Sequence, residues 1–299
     1  MRQPIKLGLL LDRFAWPGGP AATGETLLRI AREAEDAGMA SIWLNDHYQQ
    51  IPLFGETTDP LLESYTSLGF IAAATSRVEL GTLTTGGHHR YPGPLLKIVT
   101  TLDVLSGGRV WFGVGPAWNE QEQRALAIPT YPWAERFERL EELLQITRHV
   151  FDGDRRPFEG KHYQLDDPVV SPPPVRRPPI LVGGAHERRV FPLVAKYADA
   201  CNLFEAGGLQ MMRLKLGILR KHCDELGRDF DTLRKTSFGS LSLSRTGAGQ
   251  TQTVAEAVER FGELAAEGME LAIVALPDAA EPAAFELVAE LAKELEKQG

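Results

Sequence analysis

An α/β fold is predicted: a single (β/α)8 barrel with an insertion between its fourth and fifth strands. Three features of the sequence predict it. Apolar runs of strand length alternate with amphipathic helical runs through 299 residues. The stretch from Val78 to Gly115 reads strand, helix, strand, with the two strands parallel and finishing side by side. Both strand ends carry Gly, Thr or His, where packing alone would be content with Val and Leu. In parallel α/β folds that edge is where ligands sit.

The elements follow in order. Ile5–Leu11 is strand-like. Thr23–Ala37 is helical, because Leu27, Ile30, Ala31 and Ala34 fall on one face and Gly38 stops it. Ala40–Asn45 is the second strand and Pro60–Ala74 its helix. Val78–Thr84 is the third strand, Pro94–Leu105 its helix, and Val110–Val114 the fourth strand. The alternation then breaks. Trp118–Ala127 and Trp133–Phe151 read as helices, and residues 152–179 are rich in Pro, Gly and charge. Phe158–Tyr163 suggests a small hairpin around Gly160. Apolar and aromatic residues recur through this insertion, about 118–178, so it should pack on the barrel rather than link two domains. The alternation resumes with strands Ile180–Val182, Ala200–Phe204, Thr236–Leu243 and Leu271–Leu276. Their helices are Glu187–Tyr197, Leu209–Leu226, Val254–Glu267 and Pro282–Lys297. The whole chain, 1–299, reads as one domain.

A hydrophobic fraction of 43% supports a sizeable core. A net charge of −8 with dispersed basic residues argues against a general nucleic-acid binder, which needs a basic surface. Cys201 and Cys223 have neither metal-type spacing nor the number for a disulfide framework, which fits a reducing compartment. The first apolar run ends in Asp12-Arg13 and starts a strand rather than a signal peptide. No apolar stretch approaches the roughly 20 residues of a membrane helix. A soluble cytoplasmic protein is expected.

Asp46-His47 closes the second strand at the C-terminal mouth. Such a pair can bond a ligand and move a proton, since His titrates near neutrality; a turn cap with a half-exposed His is the structural alternative. His88-His89-Arg90 follows the third strand with no third metal ligand at recognisable spacing, so pocket lining or surface is favoured and no metal site is expected. His186-Glu187 is not a zinc-protease motif, because Val190 stands where the second His belongs. Gly113-Val-Gly115 begins a dinucleotide fingerprint but lacks its third Gly. No Gly-x-Ser-x-Gly elbow is present. Gly183-Gly184-Ala185-His186 joins a strand to a helix. Its free N–H groups suit a phosphate, and a tight turn needing glycine is the equal alternative. Trp16, His47, Tyr48, His88, Tyr91 and Trp118 would overhang the same mouth, suiting a flat conjugated ligand or packing the loops themselves.

Together these residues resemble the bacterial-luciferase-like superfamily of flavin- and deazaflavin-dependent oxidoreductases. The most specific matches are Leu80-Gly-Thr82, Thr84-Thr85, Arg90-Tyr-Pro, Thr101–Arg109, Gly113-Val-Gly115 and Trp118-Asn-Glu120. Glu135–Glu142, Phe158–Tyr163, Pro179–Gly184 and Ala195–Ala200 extend the similarity over nearly the whole chain. The resemblance implies a tricyclic ring in the barrel mouth. Members that use coenzyme F420 carry Asp-His after the second strand, so Asp46 and His47 would serve both catalysis and cofactor binding. A non-proline cis peptide would fall at Leu83-Thr84. Leu83, Thr84 and Thr85 would lie against the ring. Gly115, Pro116 and Ala117, with Gly183, Gly184, Ala185 and His186, would hold the ribityl-phosphate region, and glycine at Gly113 and Gly115 would leave room for the cofactor's approach. Trp16, Tyr48, His88 and Trp118 would line the substrate pocket. The resemblance further implies a homodimer through helices near the second and third units. Pro116-Ala117 replaces an Ala-Gly pair common in relatives. The Trp that some sugar-phosphate dehydrogenases carry soon after Asp-His is absent, with Gln50 and Ile51 nearby instead. Three functions compete: an F420-dependent oxidoreductase acting on a small organic substrate, an FMN-dependent monooxygenase, and a non-catalytic flavin-binding protein.

Overall fold

The computed structural model describes residues 4–184, 186–281 and 283–298. Among them a parallel sheet closes into a barrel. Its strands are β1 (Lys6–Leu11), β2 (Ser41–Leu44), β3 (Glu79–Thr82), β4 (Val110–Gly115), β5 (Ile180–Gly183), β6 (Ala200–Phe204), β7 (Arg234–Ser240) and β8 (Leu271–Ala275). A two-residue piece, Thr85–Gly86, continues β3 and pairs with β4. Around the barrel the order runs β3, β2, β1, β8, β7, β6, β5, β4, and pairing of Leu80 with Val110 and Gly81 with Trp111 closes it.

The helices are α1 (Pro20–Asp36), α2 (Ser64–Ala72), α3 (Pro92–Ser106), α4 (Glu120–Ala125), α5 (Trp133–Phe151), α6 (Glu187–Tyr197), α7 (Gly208–Glu225), α8 (Val254–Ala266) and α9 (Ala284–Glu296). The second helix starts later than Pro60, because the Glu63 carboxylate caps it by accepting from Thr66 N–H at 2.7 Å. The helix expected from Trp118 is only α4, capped by the Asn119 side chain. The seventh strand ends at Ser240, short of Leu243. The hairpin forms as Phe158–Glu159 against Gln164–Leu165. Its turn is held to α5 by Glu142, which accepts N–H bonds from Lys161, His162 and Tyr163.

Alternation along each strand divides the core in two. Leu9, Ile42, Leu80, Phe112 and Val182 face outward to the helices. Leu10, Trp43, Trp111, Leu181 and Ile273 fill the barrel's interior. The two indoles meet edge to face at 5.7 Å, and Trp43 Nε1 donates to Ser41 Oγ at 2.8 Å. Gly81 is glycine because a Cβ there would come within 2.5 Å of the Trp43 ring. Cys201 and Cys223 are buried free thiols. No helix among the described residues is long and apolar enough to cross a membrane.

Asp12, next after β1, is 3% exposed, and its Oδ2 has no partner. Burial raises its pKa from the ordinary 3.8 to about 6, against the pull of Arg13. The folded state therefore holds this proton more tightly than the unfolded chain does. The resulting stability is complete below pH 3.8 and is lost as pH rises through about 6. Asp12→Asn should stabilise the protein by about 2–3 kcal/mol more at pH 8 than at pH 4. Denaturant unfolding at the two pH values checks this; an equal effect at both would refute the assignment.

Candidate active site

The C-terminal ends of the strands surround a cavity of about 710 Å³. Asp46 and His47 enter it from the end of β2 but do different things. Asp46 is buried, and both of its oxygens are taken. Arg90 Nη1 donates to Oδ2 at 2.7 Å and Nη2 to Oδ1 at 3.0 Å, a bidentate fork. Ser64 Oγ adds a bond to Oδ1 at 2.6 Å, and Gly86 N–H reaches Oδ2 at 3.3 Å. The same guanidinium reaches Glu63 at 2.7 Å and lies against the rings of Tyr48 and Tyr65. Burial opposes the charge on Arg90, but its bonds to Asp46 outweigh this and hold its pKa above the ordinary value. A carboxylate engaged this way has no position left for a substrate proton.

His47 keeps its chemistry available. Its Nδ1 lies 2.8 Å from Glu122 Oε2. The other Glu122 oxygen accepts the backbone N–H groups of Tyr48 and Gln49. Burial pushes the Glu122 carboxyl up, but His47 and these two N–H groups outweigh it and hold it below the usual carboxylate range. An ionised carboxylate only accepts, so Nδ1 carries the hydrogen and Nε2 is left to exchange a proton. The imidazole also stands edge-on to Trp118, with ring centres 5.6 Å apart.

The Leu83-Thr84 peptide is cis. Thr84 crosses the ends of the neighbouring strands. A Cβ on Gly115 would lie 2.7 Å from Thr84 Oγ1, one on Gly183 2.6 Å from its Cγ2, and one on Gly113 1.8 Å from Thr82 O. These glycines make room for the end of the third strand itself, and Gly115 and Gly183 also line the cavity.

Of the residues singled out in the sequence, Asp46, His47, Leu83, Thr84, Gly115, Pro116, Ala117, Trp118, Gly183, Gly184 and His186 line the cavity. Ala185 lies outside the described residues. Thr85, Trp16, Tyr48 and His88 are not in the cavity lining. Thr85 points to α2 and bonds Tyr65 and Thr82. Trp16 packs on Phe14 at 5.1 Å. Tyr48 faces Arg90. His88 lies against Tyr131 at 5.2 Å, and burial pushes its pKa down to about 4. Its neighbour His89 lines the cavity instead, and neither of its ring nitrogens has a partner. Among the described residues no cluster of three or more His, Cys, Asp or Glu is arranged to hold a metal ion.

Glu122 was not singled out, although it is the partner of His47. It sits in a six-residue helix whose acids Glu120 and Glu122 look alike in sequence. Glu120 turns to Arg124 and Arg136, while Glu122 turns inward. Phe54, Trp133, Phe137, Phe204 and Phe238 also line the cavity, and nothing local distinguished them from core residues.

The profile of the luciferase-like monooxygenase family matches residues 6–298. The chain belongs to this family. Among its relatives is an F420-dependent glucose-6-phosphate dehydrogenase of Kineococcus radiotolerans, 30% identical over 197 residues, or 66% of this chain. The match covers 54% of that relative's length, so this chain spans about half of it. An F420-dependent secondary alcohol dehydrogenase, solved with an F420-acetone adduct, superposes with a TM-score of 0.80 at 15% identity, covering 98% of this chain and 99% of the other. A riboflavin lyase solved with modified FMN also gives 0.80, at 13% identity and 98% and 92% coverage. At these identities the two structures show the shared fold of this luciferase-like barrel.

Replacing Arg90 with Leu would strand a buried Asp46 charge. The protein should lose about 3–5 kcal/mol of stability, read from urea unfolding. A loss below about 1 kcal/mol would mean that solvent already reaches the pair.

Proposed function

We propose that this luciferase-like protein is an F420-dependent oxidoreductase acting on a small organic substrate, with His47 handling the proton. The observation that carries this reading is the His47–Glu122 pair, which leaves one imidazole nitrogen for the cavity. The residues present fit the coenzyme. The cavity, at about 710 Å³, falls within the range of about 300–1,000 Å³ usual for small-molecule sites. Asn45 lines it, and the buried Nδ2 of that residue has no partner among the described residues. Thr84, Gly115, Ala117 and Gly184 would face the ring system, and His186 and Arg189 at the start of α6 would meet an anionic tail. The F420 dependence of the Kineococcus relative supports the choice of coenzyme.

Held in this cavity, the coenzyme would supply or accept the hydride. His47 Nε2 gives or takes the matching proton on the substrate oxygen. Glu122 keeps Nδ1 protonated and stabilises the charged ring when Nε2 is protonated. Asp46 and Arg90 fix the segment that carries His47. Trp118 and Trp133, both at the cavity, would offer flat apolar faces to the ligand. The buried free thiols Cys201 and Cys223 support a reducing, cytoplasmic setting.

We further propose a homodimer through α3. Tyr91, Ile98 and Leu105 repeat every seven residues from the N-cap of this helix, and all are exposed, Tyr91 by 76% and Leu105 by 72%. Such a stripe suits a second copy.

Titration with F420 and with FMN, each oxidised and reduced, tests the cofactor; tight FMN binding without F420 binding would sink the proposal. His47→Ala should retain F420 binding and folding but slow single-turnover hydride transfer by about 100-fold or more. Unchanged transfer would remove His47 from the chemistry. For the interface, Ile98→Glu combined with Leu105→Glu should halve the mass seen in analytical ultracentrifugation, while a wild-type monomer would rule the dimer out.

A further inference from the structure

The cavity has two unlike halves. The ends of β3, β4 and β5 give one of them a floor of Thr84, Gly115, Ala117, Gly183 and Gly184, with Trp118, Trp133 and Phe137 of the insertion also in the lining. The other half comes from β6, β7, β1 and the segment after β2. There the lining is Phe204, Phe238, Leu10, Ile51, Leu53 and Phe54. Phe238 receives Phe54 at 6.5 Å and Phe204 at 5.7 Å, both edge to face, so three rings form one box. Leu53 is 64% exposed and Phe204 45% exposed, apolar surface that the protein itself leaves uncovered. His47 stands at the seam, because β2 lies between β1 and β3.

No charged side chain among the described residues lines the phenylalanine half. Glu205 and Arg13, beside lining residues of this half, are held by the protein itself. Glu205 accepts from Arg260 at 2.6 Å and from Ser237 at 2.7 Å. Arg13 donates its Nε to Phe54 O at 3.0 Å and lies over that ring. Arg189, the lining arginine, sits with Gly184 and His186 on α6, beside the other half.

We propose that the substrate is an uncharged ketone, aldehyde or alcohol with an aromatic or branched apolar body. The body fills the box of Phe54, Phe204 and Phe238, and the oxygen turns toward His47 Nε2. This rests on reading the cavity as an F420 oxidoreductase site. In the reducing direction the carbonyl carbon gains a hydride from reduced F420, the oxygen gains the His47 proton, and the C=O π bond becomes C–H and O–H. Alcohol oxidation reverses each change. A sugar phosphate is disfavoured here. Its dianion needs fixed cations or N–H donors, and burying it against phenyl rings would leave it unpaired. The substrate therefore differs in class from the one named for the Kineococcus relative.

The test uses coenzyme-free protein titrated separately with 4-phenylbutan-2-one, with 4-phenylbutan-2-ol and with glucose 6-phosphate, reading the fluorescence of Trp118 and Trp133 at the cavity. The two phenyl compounds should bind saturably and the sugar phosphate should not. Phe204→Ala and Leu53→Asp, both at exposed positions that spare the fold, should each weaken phenyl-compound binding by about tenfold and leave F420 affinity unchanged. Melting curves confirm folding of both variants. Saturable binding of glucose 6-phosphate, failure of both phenyl compounds to bind, or unchanged affinity in the two variants would overturn the proposal. Loss of the F420 reading shows separately: the protein would bind phenyl compounds but not F420.

Discussion

A nearly solvent-free pair, Asp46 with Arg90, holds the mouth of this barrel in shape. Asp46 comes from the end of β2 and Arg90 from the segment leading into α3, and the guanidinium also reaches Glu63 at the start of α2. One cation thus ties together three separate stretches of chain. Leaving either partner unmet in so dry a place is costly, so the stretches must arrive together. Their arrival sets the path of Tyr48 and Gln49, whose N–H groups then meet Glu122. Only with that contact made is the His47 ring turned with Nε2 free. The orientation of His47 thus depends on an ion pair that His47 does not itself join.

Glu122 belongs to the insertion, not to the repeating barrel. The insertion does more than cover the mouth, since it reaches back to complete the histidine. The same device recurs elsewhere without chemistry. Glu35 accepts N–H bonds from Ser76, Arg77 and Val78, and Asp103 accepts from Val175 and Arg176. In each case a carboxylate satisfies backbone donors that no sheet or helix serves. Glu35 and Asp103 are thus anchors, and Glu122 differs because its other oxygen faces a histidine.

The third strand sets the two-sided character of the cavity. After Thr82 it turns across β4 and β5, so those strands carry glycine where others carry bulk. The strands on the far side, β6 and β7, meet no such crossing and project phenyl rings. Bare backbone at the ends of β4 and β5 follows from that single crossing.

Much of this was legible in the sequence. Alternating apolar runs specify parallel strands and their helices because periodicity is a local consequence of burial, and Gly38 and Gly107 end helices for local backbone reasons. The ordered motifs from Leu80 to Glu120 carried the family, and Asp46-His47 marked the mouth. What stayed illegible was direction and partnership. Thr84 and Thr85, or His88 and His89, are neighbours of like type, yet one of each pair lines the cavity and the other packs behind it. Asp46 and His47 read as one catalytic pair, until Arg90 and Glu122 drew them apart. Those partners lie 44 and 75 residues away in the chain. The sequence alone determined that this chain is a barrel with a polar mouth. Only the tertiary structure decided which polar groups are spent on holding it together and which remain free to react, because a hydrogen bond between distant residues leaves no local pattern.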